Sequence, residues 1–129
     1  MKENQFMEQK IRGVLGASEE KQYRYFINKI VDNLEVWGIF YASENAWASK
    51  LNNDNDVLIL FPEKEFAEYY INESQCTGVP QKINLLEFLY EWKFALPEHC
   101  FVFLYGNDNG KSYTMGNLTA DICSALNSY

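Results

Sequence analysis

The sequence has one histidine, His99, and three cysteines, Cys76, Cys100 and Cys123, far apart and with no C-x-x-C pair. One imidazole and scattered thiols do not supply the ligands of an ordinary zinc site, and an odd set of distant cysteines is the pattern of reduced thiols in a cytoplasmic protein. We expect them to be buried. No stretch approaches the roughly 18 consecutive apolar residues of a membrane-spanning helix, so no membrane contact is expected. The polar opening Met1 to Lys10 lacks the apolar region of a secretory leader, and the expected location is the cytoplasm. Cations are also scarce: 11 Lys and Arg face 18 Asp and Glu, a net charge of −7 with a pI near 4.7. That balance argues against nucleic acid, whose phosphates are gripped by clustered Lys and Arg.

What the chain does have is apolar and aromatic material: 47% hydrophobic residues, with nine Tyr, nine Phe and three Trp among 129 residues. A chain of this length builds a sufficient core without disulfide or metal. Tyrosines suit a half-buried rim, ring inward and hydroxyl wet. The acids are unevenly spread. Between Ser43 and Thr77 lie Glu44, Asp54, Asp56, Glu63, Glu65, Glu68 and Glu73 against only Lys50 and Lys64, a local charge of −5. Such a field speeds encounter with a basic partner.

Residues 1–17 read as a lead-in, either a short helix packed on the domain or a mobile arm, because Phe6, Met7, Ile11, Val14 and Leu15 have helical spacing while Gly13 and Gly16 oppose it. Residues 18–129 read as one domain. Ser18 is a helix cap followed by Glu19 and Glu20, and Tyr23, Phe26, Ile27, Ile30, Val31 and Leu34 form an apolar stripe ending near Asn33. Val36 to Tyr41, Ala46 to Leu51 and Val57 to Phe61 read as strands, the last buried on both faces. Pro62 opens a helix burying Phe66, Ala67, Tyr70 and Ile71. A short extended piece at Lys82-Ile83 precedes a helix capped by Asn84, with Leu85, Phe88, Leu89, Trp92 and Leu96 inward and Pro97 as its stop. Cys100 to Tyr105 and Lys111 to Met115 form a hairpin, and Asn117 or Thr119 caps a final helix. The order α-β-β-β-α-(β)-α-β-β-α predicts an α+β domain, with helices packed on a largely antiparallel sheet of about five strands.

Near-matches to catalytic and ion-binding motifs fail on chemistry. Gly106-x-x-x-Gly110-Lys111-Ser112 is one residue short of a phosphate loop, carries the repelling Asp108, and precedes a strand rather than a helix. The acids from Asn52 to Glu63 approach calcium-loop spacing, but Val57 stands where the bend needs glycine. His99 and Cys100 are adjacent, so a strand sends them to opposite faces and they cannot act as a nucleophile pair. No cofactor, metal or catalytic residue is expected. Trp37 and Trp47, on neighbouring strands, are expected to stack across the pair and to offer a possible ligand face.

From Lys21 onward the chain resembles a bacterial family of unknown function, DUF2750. The likeness is carried by Arg24-Tyr25-Phe26, Val36-Trp37-Gly38-Ile39, Ala46-Trp47-Ala48 and Leu58-Ile59-Leu60-Phe61-Pro62. It continues through Ala67, Pro80, Ile83, Leu86-Glu87-Phe88-Leu89 and Trp92 to the terminal hairpin and helix. Phe61 stands where that family is expected to carry tryptophan. The Leu-Phe-Pro entry into a helix is also similar to the amino-terminal domain of SseB-like proteins. The resemblance implies a small intracellular α+β domain and carries over no catalytic residue. The expected function is non-enzymatic protein binding, with an immunity-type protein that neutralises a toxin by direct contact as the concrete form. Its contact charges would be Glu44, Asp54, Asp56, Glu63, Glu65 and Glu68, with exposed Tyr41 and Tyr69 as anchors. The alternative is a regulatory or housekeeping domain that binds a small ligand.

Overall fold

The computed structural model describes residues 2–43, 46–47, 49–52, 55–75, 77–92, 101–105 and 112–128. The lead-in is a helix, α1 (Lys2–Leu15), whose Ile11 is 4% exposed and belongs to the common core. Helix α2 (Glu19–Asn33) begins as its sequence requires: the Ser18 hydroxyl accepts from the Lys21 amide, and two acids occupy the positive first turn. Its stripe of Phe26, Ile27, Ile30 and Val31 is buried. Leu34 ends it in the left-handed conformation, φ 54°, with its amide returned to the Ile30 carbonyl.

Seven strands follow among the described residues: β1 (Glu35–Tyr41), β2 (Ala46–Trp47), β3 (Ser49–Asn52), β4 (Asn55–Leu60), β5 (Val79–Asn84), β6 (Phe101–Leu104) and β7 (Ser112–Thr114). They form two sheets, of order β2-β1-β5 and β3-β4-β6-β7, rather than the single sheet of about five strands read from the sequence. The reason lies in the segment expected as one return strand, Ala46 to Leu51. Its first part pairs with β1 (Phe40 opposite Trp47) and its second with β4 (Ser49 opposite Leu58), so one stretch of chain serves both sheets. The sheets also meet where Trp37 and Phe61 exchange backbone hydrogen bonds of 2.9 and 2.8 Å. All pairings are antiparallel except β4 with β6, which run parallel.

Strand β5 is a full six-residue strand where only Lys82-Ile83 was expected as extended. Its sequence conceals it: one residue, Ile83, is buried, and Pro80 lies within it. The register explains the proline. Since Trp37 spends its amide and carbonyl on Phe61, β1 turns Val36, Gly38 and Phe40 toward β5, opposite Ile83, Gln81 and Val79. Pro80, opposite Ile39, is therefore at a position whose N–H would point out of the sheet, and none is missed.

Helix α3 (Lys64–Ser74) starts two residues beyond Pro62, where it was expected to open. Glu63 is its cap residue but makes no side-chain cap bond, and Pro62 is buried ahead of it. Helix α4 (Leu85–Glu87) is capped by Asn84, which accepts from the Leu86 and Glu87 amides, and widens into a π-helical turn, Phe88–Trp92. Leu85, Phe88 and Leu89 are buried as expected, while the side chain of Trp92, together with Leu96, Pro97, His99 and Cys100, lies outside the described residues. The last helix, α5 (Met115–Asn127), is capped by Thr114, not by Asn117 or Thr119: the Thr114 hydroxyl accepts from the Asn117 amide. Thr119 is buried mid-helix and returns its hydroxyl to the Met115 carbonyl, 2.8 Å away. Cys123, expected to be buried, is exposed on the same helix.

The core is continuous. Ile59 and Leu60, neighbours on β4 and thus on opposite faces, are 2% and 0% exposed, so both faces of that strand are covered.

Candidate functional site

The parallel pair β4 and β6 sends two carboxyl ends to the same edge, the place where open α/β sheets commonly form their crevices. β4 leaves through Phe61, Pro62 and Glu63 into α3, and β6 leaves through Tyr105, whose amide donates to the Leu60 carbonyl at 2.8 Å. Tyr105 is held at φ 63°, a conformation that non-glycine residues seldom adopt. Its ring packs edge-on to Phe26 and Phe66 (centroids 6.3 and 5.4 Å), and its hydroxyl donates to the Gln22 carbonyl at 2.7 Å. Burial first, then the nearby Tyr25 and Glu63, push the Tyr105 phenol well above its ordinary range, so it stays protonated. Gln22, itself buried, donates its side-chain amide to the Leu15 and Ala17 carbonyls at 2.8 and 3.0 Å. These hydrogen bonds tie the end of α1 to α2 and to the end of β6.

Between α1, α3 and these strand ends lies a cavity of about 200 Å³, lined by Leu15, Phe61, Phe66, Tyr69, Tyr70, Glu73 and Tyr105. Beside it sits a polar cluster. Glu63 accepts from the Tyr25 hydroxyl and from Lys10 Nζ (3.2 Å), and its side chain is only 17% exposed. Lys10 and Lys29 each stand 5.7 Å from the centre of the Tyr25 ring, which in turn contacts Phe66 at 5.8 Å. Burial and the Glu63 hydrogen bond push the Tyr25 phenol up to about 12, with Lys10 opposing. For Lys10, burial pulls the pKa down, but hydrogen bonds to Tyr25 and Glu63 and their negative potential outweigh it and the net shift is upward.

This arrangement redistributes the residues singled out from sequence. Glu63 is not a free contact charge, since it is spent on Lys10 and Tyr25. Glu65 is half-buried and Glu68 exposed, and both lie on α3. Tyr69, expected as an exposed anchor, is half-buried and lines the cavity. Tyr41 is likewise half-buried, packed against the core. Glu44 and Asp54 lie outside the described residues; Asp56 is on β4 opposite Leu51, its side chain outside them. The near-calcium loop is refuted locally, because Asn55–Leu60 is strand and Glu63 is already engaged. Cys76 and the Gly106 to Lys111 segment are outside the described residues.

Trp37 and Trp47 do not stack across the strand pair, because they lie on opposite faces of the sheet. Trp47 is opposite Phe40 and packs against its ring at 5.1 Å, on the face that also carries Gly38. Trp37 is an odd number of residues from Phe40 and points the other way, its indole N–H reaching Glu35 at 3.3 Å. Gly38 is what lets Trp47 lie flat: a Cβ there would come within 2.9 Å of its ring.

The cavity itself was missed from sequence. Leu15, Tyr70 and Tyr105 come from three separate elements, and only the Leu60-Phe61-Pro62 run hinted that β4 ends at a turn of consequence. Among the described residues no group of three or more His, Cys, Asp or Glu is gathered as a metal would require, and no helix is long and apolar enough to cross a membrane.

The helices flanking mixed strands define a small α+β domain. The family profile of the proteins of unknown function called DUF2750 matches residues 23–111, and the chain belongs to that family. No curated protein and no solved structure matches it, and the likeness to SseB-like proteins has no support in these comparisons.

Proposed function

We propose that this chain is a non-enzymatic binding domain that docks a basic protein on the acidic side of α3, the side that borders the cavity. The observation that carries this reading is a stripe on that helix. Glu65, Glu68, Tyr69 and Glu73 are spaced three, four and eight residues apart and therefore share one side. Glu8, Glu20, Glu35 and Glu63 each stand within 4.0 Å of a Lys or Arg nitrogen. Among the described residues, no such cation accompanies Glu65, Glu68 or Glu73. Unneutralised carboxylates beside a half-buried tyrosine are what a basic surface would complement. Glu44, Asp54 and Asp56 extend the same charge along the chain. A non-catalytic role is supported by five hydroxyls, those of Ser18, Ser74, Thr114, Thr119 and Ser128, each of which serves a backbone group. The setting that suits these properties is an immunity-type protein in a bacterial cytoplasm, blocking a basic toxin by contact.

The test is charge reversal. With the partner recovered by affinity capture, Glu65→Lys and Glu68→Lys together should weaken binding at least tenfold and flatten its salt dependence. Unchanged affinity with an unchanged salt slope overturns the proposal. The alternative, a regulatory domain for a small ligand, is favoured by one observation, the cavity at the ends of β4 and β6.

A further inference from the structure

We infer that the cavity between α1, α3 and the ends of β4 and β6 is a site for an organic ammonium group. The inference rests on the binding-domain reading and names the chemistry that reading leaves open.

Five aromatic residues line the cavity together with Leu15: Tyr69 and Tyr70 are half-buried, and Phe61, Phe66 and Tyr105 are almost fully buried. Ring faces carry negative electrostatic potential, and a cation held among them out of bulk water is stabilised more than at an exposed site. The one charged lining residue is Glu73, exposed at the rim. It adds a carboxylate to the aromatic wall, so an anion would be repelled by both. Neighbouring charge does not reverse this preference. On α1, Lys10 is held 3.2 Å from Glu63 and Arg12 2.7 Å from Glu8, so both charges are matched.

The hydrogen-bonding capacity of the wall also selects the ligand. The Tyr105 hydroxyl is committed to the Gln22 carbonyl and turns no free donor inward. A sugar or nucleotide needs several oriented partners, and beyond Tyr105 the polar groups of the wall are the Tyr69 and Tyr70 hydroxyls and Glu73. A methylated ammonium needs none, because its charge is met by ring faces and one carboxylate. A lysine side chain of the basic partner presents the same chemistry, and its aliphatic stem suits the apolar wall. The larger groove of about 760 Å³ between the π-helical turn and α5 carries no comparable argument, since nothing among the described residues shows what would cover it.

The experiment is an NMR-detected titration of the full chain with choline, with its neutral carbon isostere dimethylbutanol, and with a blocked lysine amide. Choline should saturate with shifts centred on Tyr69, Tyr70 and Tyr105, about tenfold more tightly than the isostere. Glu73→Gln should weaken choline severalfold and leave the isostere unchanged. Saturation by the lysine amide at the same tyrosines supports the site with a partner side chain as its occupant, and saturation by choline alone supports a free ligand. Equal binding of choline and isostere overturns the inference. So does failure of both cations to saturate, or shifts centred elsewhere. None of these outcomes bears on the Glu65 and Glu68 reversal, so the docking proposal stands or falls separately.

Discussion

Single residues at close approaches decide how this fold fits together, and several were invisible until the register was known. Gly78 is the tightest. A Cβ added there would lie 2.5 Å from Ile39 Cγ2 and 3.2 Å from the Phe40 carbonyl, and a branched core side chain cannot retreat cheaply. Gly78→Ala should therefore cost about 2 kcal/mol in urea unfolding, as overpacked cores do. The opposite result is expected at Gln75, an exposed helix end held at φ 56°. Glycine adopts that conformation freely, so Gln75→Gly should raise stability by about 1 kcal/mol. The cap of α5 gives a third case. Thr114→Ala removes an acceptor from the Asn117 amide and should cost about 1 kcal/mol, whereas Asn117→Ala should change little, both read by urea midpoint. Sequence alone placed that cap three to five residues late, because Tyr113-Thr114-Met115 has strand-like side chains and the threonine was assigned to the strand.

At the level of elements, legibility followed amphipathic pattern. Helix α2 could be read from its Ser18 cap to its end near Asn33, since the cap and its stripe obey a single period. Strand β5 could not, because an outermost strand with one buried residue leaves almost no periodic signal. The break between β2 and β3 was hidden for another reason: the side chains of Ala46 to Asn52 do not record which neighbour each half pairs with. The cavity joins Leu15, Phe61 and Tyr105 across distant segments, so only tertiary structure assembles it. Helix α1 is the element whose attachment is most open to test. It is held by buried Ile11, by Lys10 on Glu63, and by the Gln22 side chain at its end. Gln22→Ala leaves the Leu15 and Ala17 carbonyls without that donor. Hydrogen exchange in α1 should then accelerate by about tenfold, the equivalent of one net hydrogen bond, while α2 keeps its protection.

For the molecule as a whole, tyrosines set the alkaline limit. The Tyr25 phenol is raised from 10.0 to about 12, mainly by burial, and those of Tyr105, Tyr23 and Tyr113 are raised too, again with burial first. A raised folded pKa means the unfolded chain releases its proton first. The stabilisation is thus complete below pH 10 and is lost as pH climbs toward 12 and beyond. Urea midpoints should be flat from neutrality to about pH 9 and then fall, and Tyr25→Phe should show a shallower decline. The position of Pro80 has a consequence for the crowded cell. β5 closes one side of its sheet, and a bare strand margin is a template on which further chains can stack into fibrils. A ring nitrogen that offers no proton, followed along the same margin by the ammonium of Lys82, spoils that template without weakening the pairing inside it.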